Sequence, residues 1–370
     1  MVDINLDKVH TSPDHNLIYL PPNYGTNLGD TSIINYLYRE YGDSIFIINN
    51  LKSFIALRKL GPKIFFLPHF FVNMLAVFSL KKRTRSLTII GNDTVDGRYS
   101  LAESISKWKL AIAFKKAGVP SYMINFSFGS VNIDKKILSL AKKAYGLGVQ
   151  LYVRDSISKE HLLKNEIFSN LTRDLVLVDA NKASKKSIQE EDLSVKVLIL
   201  APAFHVSNLD EQIDLYERLA HKATLLGYAV ILYASMPRGQ IFKYNDLDIC
   251  RIIYKKLTRT KETPNIRIVS KHEEFLAALN PKALVVSSRL HVCLYALISN
   301  CTLFAQERQG KFRGIFADLG AEHLVYRNLI DLEVDVEKFL LDPLNKSIIP
   351  RPIINENLSA LSKKQLDHLA

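Results

Sequence analysis

What this chain has little of narrows the possibilities first. Only three of its 370 residues are cysteine, Cys250, Cys293 and Cys301. They show no C-x-x-C spacing and each sits among apolar residues, the pattern of reduced core thiols in a cytosolic setting rather than of a disulfide framework. Neither H-E-x-x-H nor clustered Cys and His supports zinc, so no metal is expected, and no G-x-S-x-G marks a serine hydrolase. The G-x-G-x-x-G and Walker patterns are also missing, which leaves a dinucleotide or ATP site unsupported. No apolar run reaches the roughly 20 residues a spanning helix needs. The most apolar stretch, "FFLPHFFVNMLAVFSL" (65–80), is broken by Pro68, His69 and Asn73. The opening "MVDINLDKVHTSPDHN" is polar and partly acidic, unlike a signal peptide, so export is not expected. Repeats of 20 to 50 residues, heptads and low-complexity tracts are lacking too.

Positive charge, by contrast, is plentiful. Lys and Arg number 49 against 37 Asp and Glu, a formal charge of +12. That excess suits phosphates, other anionic substrates, anionic lipid or nucleic acid. "KKRTR" directly follows the apolar stretch 65–80. An apolar helix with such an end can lie on an anionic membrane surface, so peripheral contact through 65–85 stands beside a buried helix with a solvated basic end. "KKRTR" and "KKLTRTK" (255–261) come without a nucleic-acid-binding module or interleaved aromatics. They read as solvated faces, and no nucleic-acid partner is expected.

Apolar strand-like runs alternate with amphipathic stretches along the chain: "NLIYLP" (16–21), "SIFIIN" (44–49), "SLTIIG" (86–91), "SYMINFSF" (121–128) and "QLYVRD" (150–155), with helices over 30–42, 102–118 and 135–148. Continuous apolar strands between amphipathic helices predict a parallel sheet covered on both faces. The charged segment "DANKASKKSIQEEDLS" (179–194) reads as a linker. Beyond it the alternation resumes at 195–202, 228–235, 266–270, 283–288 and 301–306. The expectation is an α/β protein of two doubly wound domains, 1–185 and 186–345, facing a cleft, with a tail over 346–370.

Polar residues cluster where strands should end, which is where such sheets bind ligands. In "VVSSRLHVCLYALISN" (285–300), the turn from Ser287 to His291 joins a strand to a helix. Ser287 and Ser288 can cap the helix or bond an anion, Arg289 can hold phosphate or carboxylate bidentately, and His291 can exchange a proton near neutral pH. A histidine closing a core hydrogen bond is the plainer alternative. "NYGTNLGDTSIINYL" offers Asn27, Gly29 and Asp30 at a helix start, with Asp30 either functional or a cap. "VRDSIS" presents Arg154 and Asp155, as anion ligands or a local ion pair. "GKFRG" (310–314) supplies Lys311 and Arg313, for a ligand or as a solvated loop. "GNDTVDGRYS" sets Asp93, Asp96 and Arg98 at the end of the third strand. "DLD" (246–248) matches a metal pattern but reads as a helix opening.

Several of these segments occur in a familiar order: "TNLGDTSIINYL", "IIGNDTVDGRYS", "INFSFGS", "YVRDSISKEHL" and "VVSSRLHVCLYALISNCTLFAQERQGKFRGIFADLG". Over about residues 16 to 325 the chain resembles the polysaccharide pyruvyltransferase family, most specifically in S-x-R-L-H with the downstream Lys311, Gly314, Asp318, Leu319 and Gly320. Asn92–Asp93 and "SMPRG" (235–239) depart from patterns common in that family. The resemblance implies a fold of two Rossmann-like domains (GT-B-like). It also implies transfer of the pyruvyl group of phosphoenolpyruvate onto two sugar hydroxyls as a cyclic ketal, with no cofactor beyond the donor. Arg289 and His291 would then hold or protonate phosphoenolpyruvate, Arg154 would be a further anion ligand, and Asp30 or Asp96 would take the hydroxyl's proton. The acceptor would be a sugar, free, polymeric or lipid-linked, in the cytoplasm or at the cytoplasmic membrane face. The competing readings are a GT-B glycosyltransferase using a nucleotide sugar and a non-catalytic anion-binding protein.

Overall fold

The alternating apolar and amphipathic runs fold as parallel strands with intervening helices, in two units. The structure, a computed structural model, describes residues 15–59, 61, 63–66, 80, 84–93, 95–98, 100–129, 133–178, 196–204, 209–237, 245–259, 265–307, 311–343 and 356–369. The expected linker 179–194 and most of the apolar segment 65–85 lie outside these residues.

The first sheet is built in chain order from β1 (His15–Tyr19), α1 (Leu28–Glu40), β2 (Ile45–Ile48), α2 (Leu51–Arg58), β3 (Ile64–Phe66), β4 (Thr84–Asn92), α3 (Leu101–Lys116), β5 (Ser121–Phe126), α4 (Lys135–Gly146), β6 (Gln150–Val153), α5 (Ser156–Lys164) and β7 (Asn170–Leu171). Its strand order is β3-β2-β1-β4-β5-β6-β7, every pairing parallel. The core on one face gathers Leu17, Tyr19, Leu87, Ile89 and Met123 with Trp108 and Phe114 of α3. Trp108 is fully enclosed, edge-on to Phe126 and Phe128, and its indole donates to the Val95 carbonyl at 2.8 Å. A large ring with one satisfied polar atom thereby fixes the loop after β4.

The second sheet follows β8 (Val197–Ala201), α6 (Leu209–Leu225), β9 (Ala229–Tyr233), α7 (Asp246–Leu257), β10 (Ile266–Val269), α8 (His272–Ala278), β11 (Leu284–Ser287), α9 (Leu290–Ile298), β12 (Thr302–Gln306), α10 (Lys311–Asp318), β13 (Val325–Tyr326) and α11 (Leu329–Leu341). Its order is β10-β9-β8-β11-β12-β13, again parallel throughout. This is the Rossmann order, in which the direction of winding reverses between the first and fourth strands. α6 buries Ile213, Tyr216, Leu219, Ala220 and Ala223, a helical stripe of period 3.6. Nearly all of α9 is enclosed, as its sequence, apolar but for His291, requires.

Contacts divide the chain between Asp174 and Leu175, with two exchanges: Gly25–Ser32 packs with the second unit, and Lys363 onward packs with the first. The expected tail 346–370 is described from residue 356 to 369. Its later part forms α12 (Glu356–Lys364) and a terminal turn whose Gln365, Leu366 and Leu369 are buried in the first unit. Gln365 Oε1 accepts from the Asn125 amide at 2.8 Å, and His368 stacks on Tyr122 with ring centroids 3.6 Å apart. These polar anchors left no apolar periodicity for the sequence to reveal. The cysteines are free and buried. Among the described residues no helix is long and apolar enough to cross a membrane.

Candidate functional site

In the second unit, β8 and β11 flank the reversal of winding, and Ala201 and Ser287 lie opposite one another in register. The chain therefore leaves both strands at one level, into the segments Pro202–Phe204 and Ser288–Arg289. Ser287 and Ser288, expected as anion ligands or caps, are fully enclosed and engaged with neighbouring polar groups. Ser287 Oγ accepts from the Arg289 amide at 2.9 Å and so shapes the turn. Ser288 Oγ accepts from Gln212 Nε2 at 2.6 Å and donates to Gln306 Oε1 at 2.8 Å, with Tyr216 Oη 3.3 Å away. Gln212 Nε2 also reaches Gln306 Oε1. A satisfied buried network of this kind rigidifies the turn above it.

Arg289 is the residue before α9, and its side chain is 12% exposed. Its Nη2 is paired with the fully buried carboxylate of Asp246, its Nη1 meets Met236 Sδ at 3.5 Å, and its Cζ lies 5.2 Å from the Phe204 ring centroid. Nε is enclosed and has no hydrogen-bond partner among the described residues. His291 is partly buried in the first turn of α9. Gly29 approaches it closely: a Cβ at Gly29 would lie 1.9 Å from His291 Nδ1.

The loop that carries Gly29 is set by Asn27, whose Oδ1 accepts from the amides of Gly29 at 2.9 Å and Asp30 at 3.2 Å. Asn27, not Asp30, is thus the cap of α1, and the helix begins two residues earlier than the sequence predicts. Asp30 is buried in the first turn. In the other sequence candidates, Arg313 Nε is 3.8 Å from Glu307 Oε2, which Arg327 Nε also approaches at 3.1 Å. Lys311 opens α10, and its side chain lies outside the described residues.

In the first unit the strand ends hold a different device. Arg154 is completely enclosed: Nη2 pairs with Asp93, Nη1 with Asp174 at 2.8 Å, and Nε donates to Ser127 Oγ at 2.9 Å. Burial works against its charge, but Asp93, Asp174 and Asp155 outweigh it and hold the guanidinium pKa above its ordinary value. Its three nitrogens are thus engaged by Asp93, Asp174 and Ser127, carboxylates and a hydroxyl from other segments of the chain. Asp155 caps α5, accepting from the Ser158 amide at 2.8 Å. Burial pushes its carboxyl above the usual range, against hydrogen bonds from Ser127 and Ser158.

Asp93 keeps 26% of its side chain exposed. Asp96 is buried beside Arg98, whose amide donates to Asp96 Oδ1 at 3.1 Å and whose Nη2 is 3.6 Å from Oδ2. The strand end before Asp93 is held by Lys107, fully buried, whose Nζ lies 3.2 Å and 3.3 Å from the Ile90 and Gly91 carbonyls. Asn92 and Asn125 both adopt left-handed φ, 49° and 54°, and are joined by a 2.8 Å amide hydrogen bond. Such φ values in non-glycine residues favour asparagine.

Sequence reasoning missed Asp246, Gln212, Gln306, Phe204 and Lys107. Asp246 lies in the D-L-D stretch that reads as a helix opening, and that reading holds for its other half, since Asn245 and Asp248 form a capping box. The carboxylate of Asp246 points elsewhere, and spacing alone carries no sign of it. Gln212 and Lys107 are single polar residues on helix faces that otherwise read as core.

Two parallel sheets of Rossmann order, with polar side chains gathered where the winding reverses, define an α/β protein of the GT-B kind. The same fold is seen in the UDP-GlcNAc 2-epimerase of Methanocaldococcus jannaschii (TM-score 0.60, 14% identity, 94% of this chain and 97% of that one). It is also seen in Anabaena Alr3699/HepE, solved in complex with UDP-glucose (0.56, 10%, 96% of each chain). A third likeness is the UDP-N-acetylglucosamine 2-epimerase of Rickettsia bellii (0.58, 14%, 96% and 95%). Identities this low establish likeness of fold alone. Among curated proteins none matches the chain in sequence. The family model of polysaccharide pyruvyl transferase matches residues 27–305, most of the chain, and the protein belongs to that family. The matched span runs from Asn27 through Arg289 and His291 and stops short of Lys311 and Arg313.

Proposed function

We propose that the protein transfers the pyruvyl group of phosphoenolpyruvate onto two hydroxyls of one sugar in a polysaccharide or glycolipid precursor, forming a cyclic ketal and releasing phosphate. The observation that carries this reading is the placement of Arg289 and His291 together at the carboxyl end of β11, where the sheet reverses its winding, in a member of this family. Phosphoenolpyruvate brings a phosphate and a carboxylate, both matched by a guanidinium fork and by the amides at the start of α9. His291 delivers a proton to the methylene carbon, leaving an oxocarbenium-like centre at the adjacent carbon. One sugar hydroxyl adds there and gives up its proton. Asp30, next in the chain to the glycine that abuts the imidazole, is the acceptor we assign to it, ahead of Asp96. The second hydroxyl then displaces phosphate from the same carbon and closes the ring.

This chemistry calls for no cofactor beyond the donor. A cytoplasmic setting, a free or lipid-linked acceptor and a membrane-surface contact through 65–85 belong to the same reading. The test is to incubate the protein with phosphoenolpyruvate and a panel of galactosides and N-acetylmannosamine glycolipids, following phosphate release and the mass gain of a pyruvate ketal. Turnover lost in His291→Ala is the expected outcome. Turnover with UDP-glucose and none with phosphoenolpyruvate would replace this reading with a nucleotide-sugar glycosyltransferase.

A further inference from the structure

The carboxylate of Asp246 is fully buried, and its described contacts come from three segments that follow strands. Oδ2 accepts from the Met236 amide at 2.8 Å, Oδ1 accepts from the Phe204 amide at 3.4 Å, and Oδ1 also pairs with Arg289 Nη2. It therefore ties the segments after β8 and β9 and the start of α7 to the residue that follows β11. We infer that Asp246 is a positioning residue: it fixes the guanidinium of Arg289, with Phe204 against the guanidinium's face, so that Nη1 is held for the oxyanion of the donor. The inference rests on reading Arg289 as the anion ligand.

A buried carboxylate beside an anion site could instead compete with the anion. Its other contacts argue against that. Two backbone amides and the N-terminus of α7, a helix of 12 residues, stabilise the charge of Asp246 independently of Arg289. The guanidinium meanwhile gives Asp246 only one of its nitrogens. Among the described residues Nη1 has only a thioether, a weak acceptor, and the enclosed Nε has no acceptor. The ring of Phe204 adds a cation–π contact that favours one rotamer. An incoming phosphate or carboxylate can thus add to Arg289 without breaking its pair. Holding a long side chain in advance removes an ordering cost that binding would otherwise meet.

The competing and positioning roles predict opposite signs. Calorimetric titration with phosphoenolpyruvate and with inorganic phosphate is made on the wild type, Asp246→Asn, Asp246→Glu and Phe204→Leu, alongside kcat and KM for phosphoenolpyruvate. Asp246→Asn is expected to weaken phosphoenolpyruvate binding at least tenfold and to raise KM more than it lowers kcat, with Asp246→Glu recovering part of the loss. A folded Asp246→Asn that binds phosphoenolpyruvate equally or more tightly overturns the inference. Should Asp246→Asn fail to fold, Phe204→Leu decides: it leaves both charges in place, and a severalfold weaker affinity is expected, an unchanged one overturning. If the wild type takes UDP-glucose and ignores phosphoenolpyruvate, the donor reading fails, and the same comparison made with UDP-glucose decides on Asp246.

Discussion

Gly29 and His291 occupy the same space as closely as backbone and ring can, a Cβ at Gly29 falling 1.9 Å from Nδ1 and 2.1 Å from Cε1. The absent side chain is what lets the imidazole sit in the first turn of α9. Gly29→Ala must push the ring aside, since the glycine lies in a helix turn fixed by Asn27. Phosphate release from phosphoenolpyruvate is expected to slow at least tenfold, about 1.4 kcal/mol of barrier, with a shifted His291 Cε1–H resonance in NMR spectra.

Arg289 and Asp246, in direct contact, are expected to be coupled in stability as well. Arg289→Ala leaves a fully buried carboxylate without its cation, a change that costs about 3–5 kcal/mol in comparable pairs. Adding Asp246→Asn removes the stranded charge, so the double variant is expected to be more stable than Arg289→Ala alone. Urea unfolding of the two single variants and the double closes the cycle. Binding experiments on Arg289→Ala need this control, because lost affinity and lost fold would otherwise look alike.

Arg154 is expected to behave as a structural hub. Arg154→Met strands Asp93 and Asp174 together, and unfolding measurements should show a loss of about 3–5 kcal/mol. Arg154→Lys should rescue little, because one ammonium cannot reproduce the planar fork that serves Ser127 and two carboxylates at once.

The terminal turn makes the first unit sensitive to acid. Burial holds the His368 imidazole, 2.6 Å from Thr88 Oγ1, down to about 4 from the ordinary 6.5. The unfolded chain therefore takes up a proton at His368 before the folded one does. Its contribution is complete above pH 6.5 and is lost as pH falls from there to about 4, a change on the order of 3 kcal/mol. The difference in unfolding free energy between wild type and His368→Gln, measured from pH 7 to 4, should contain this slope; a flat difference would contradict it.

Much of the architecture was legible because buried parallel strands must be apolar along their whole length: "LVVS" at 284–287 and "VLILA" at 197–201 admit few other readings. β7 and β13, two residues each, carry too little pattern to be seen, and β3 is only the first three residues of a longer apolar run. At the site, Arg289, His291 and Gly29 were visible as polar or small residues where strands give way to helices. The roles of Ser287, Ser288 and Arg154 were not, because those depend on partners far away in sequence: Ala201, Gln212, Gln306, Asp93 and Asp174. A guanidinium at a strand end looks the same on paper whether it awaits a ligand or already holds two carboxylates.

The return of the last residues to the first unit has a consequence for biosynthesis. Domains near the N-terminus ordinarily finish folding while the remainder of the chain is still being made. Here Asn125 and Thr88 wait for Gln365 and His368, and Asn16 Nδ2 for the carbonyl of Leu369 at 3.1 Å. These contacts span up to 353 residues and cannot form until residues 365–369 have been synthesised. The half of the protein that is synthesised first is thus the half that a product truncated before residue 365 leaves incomplete, and the emergence of residues 365–369 sets the earliest moment at which it can close.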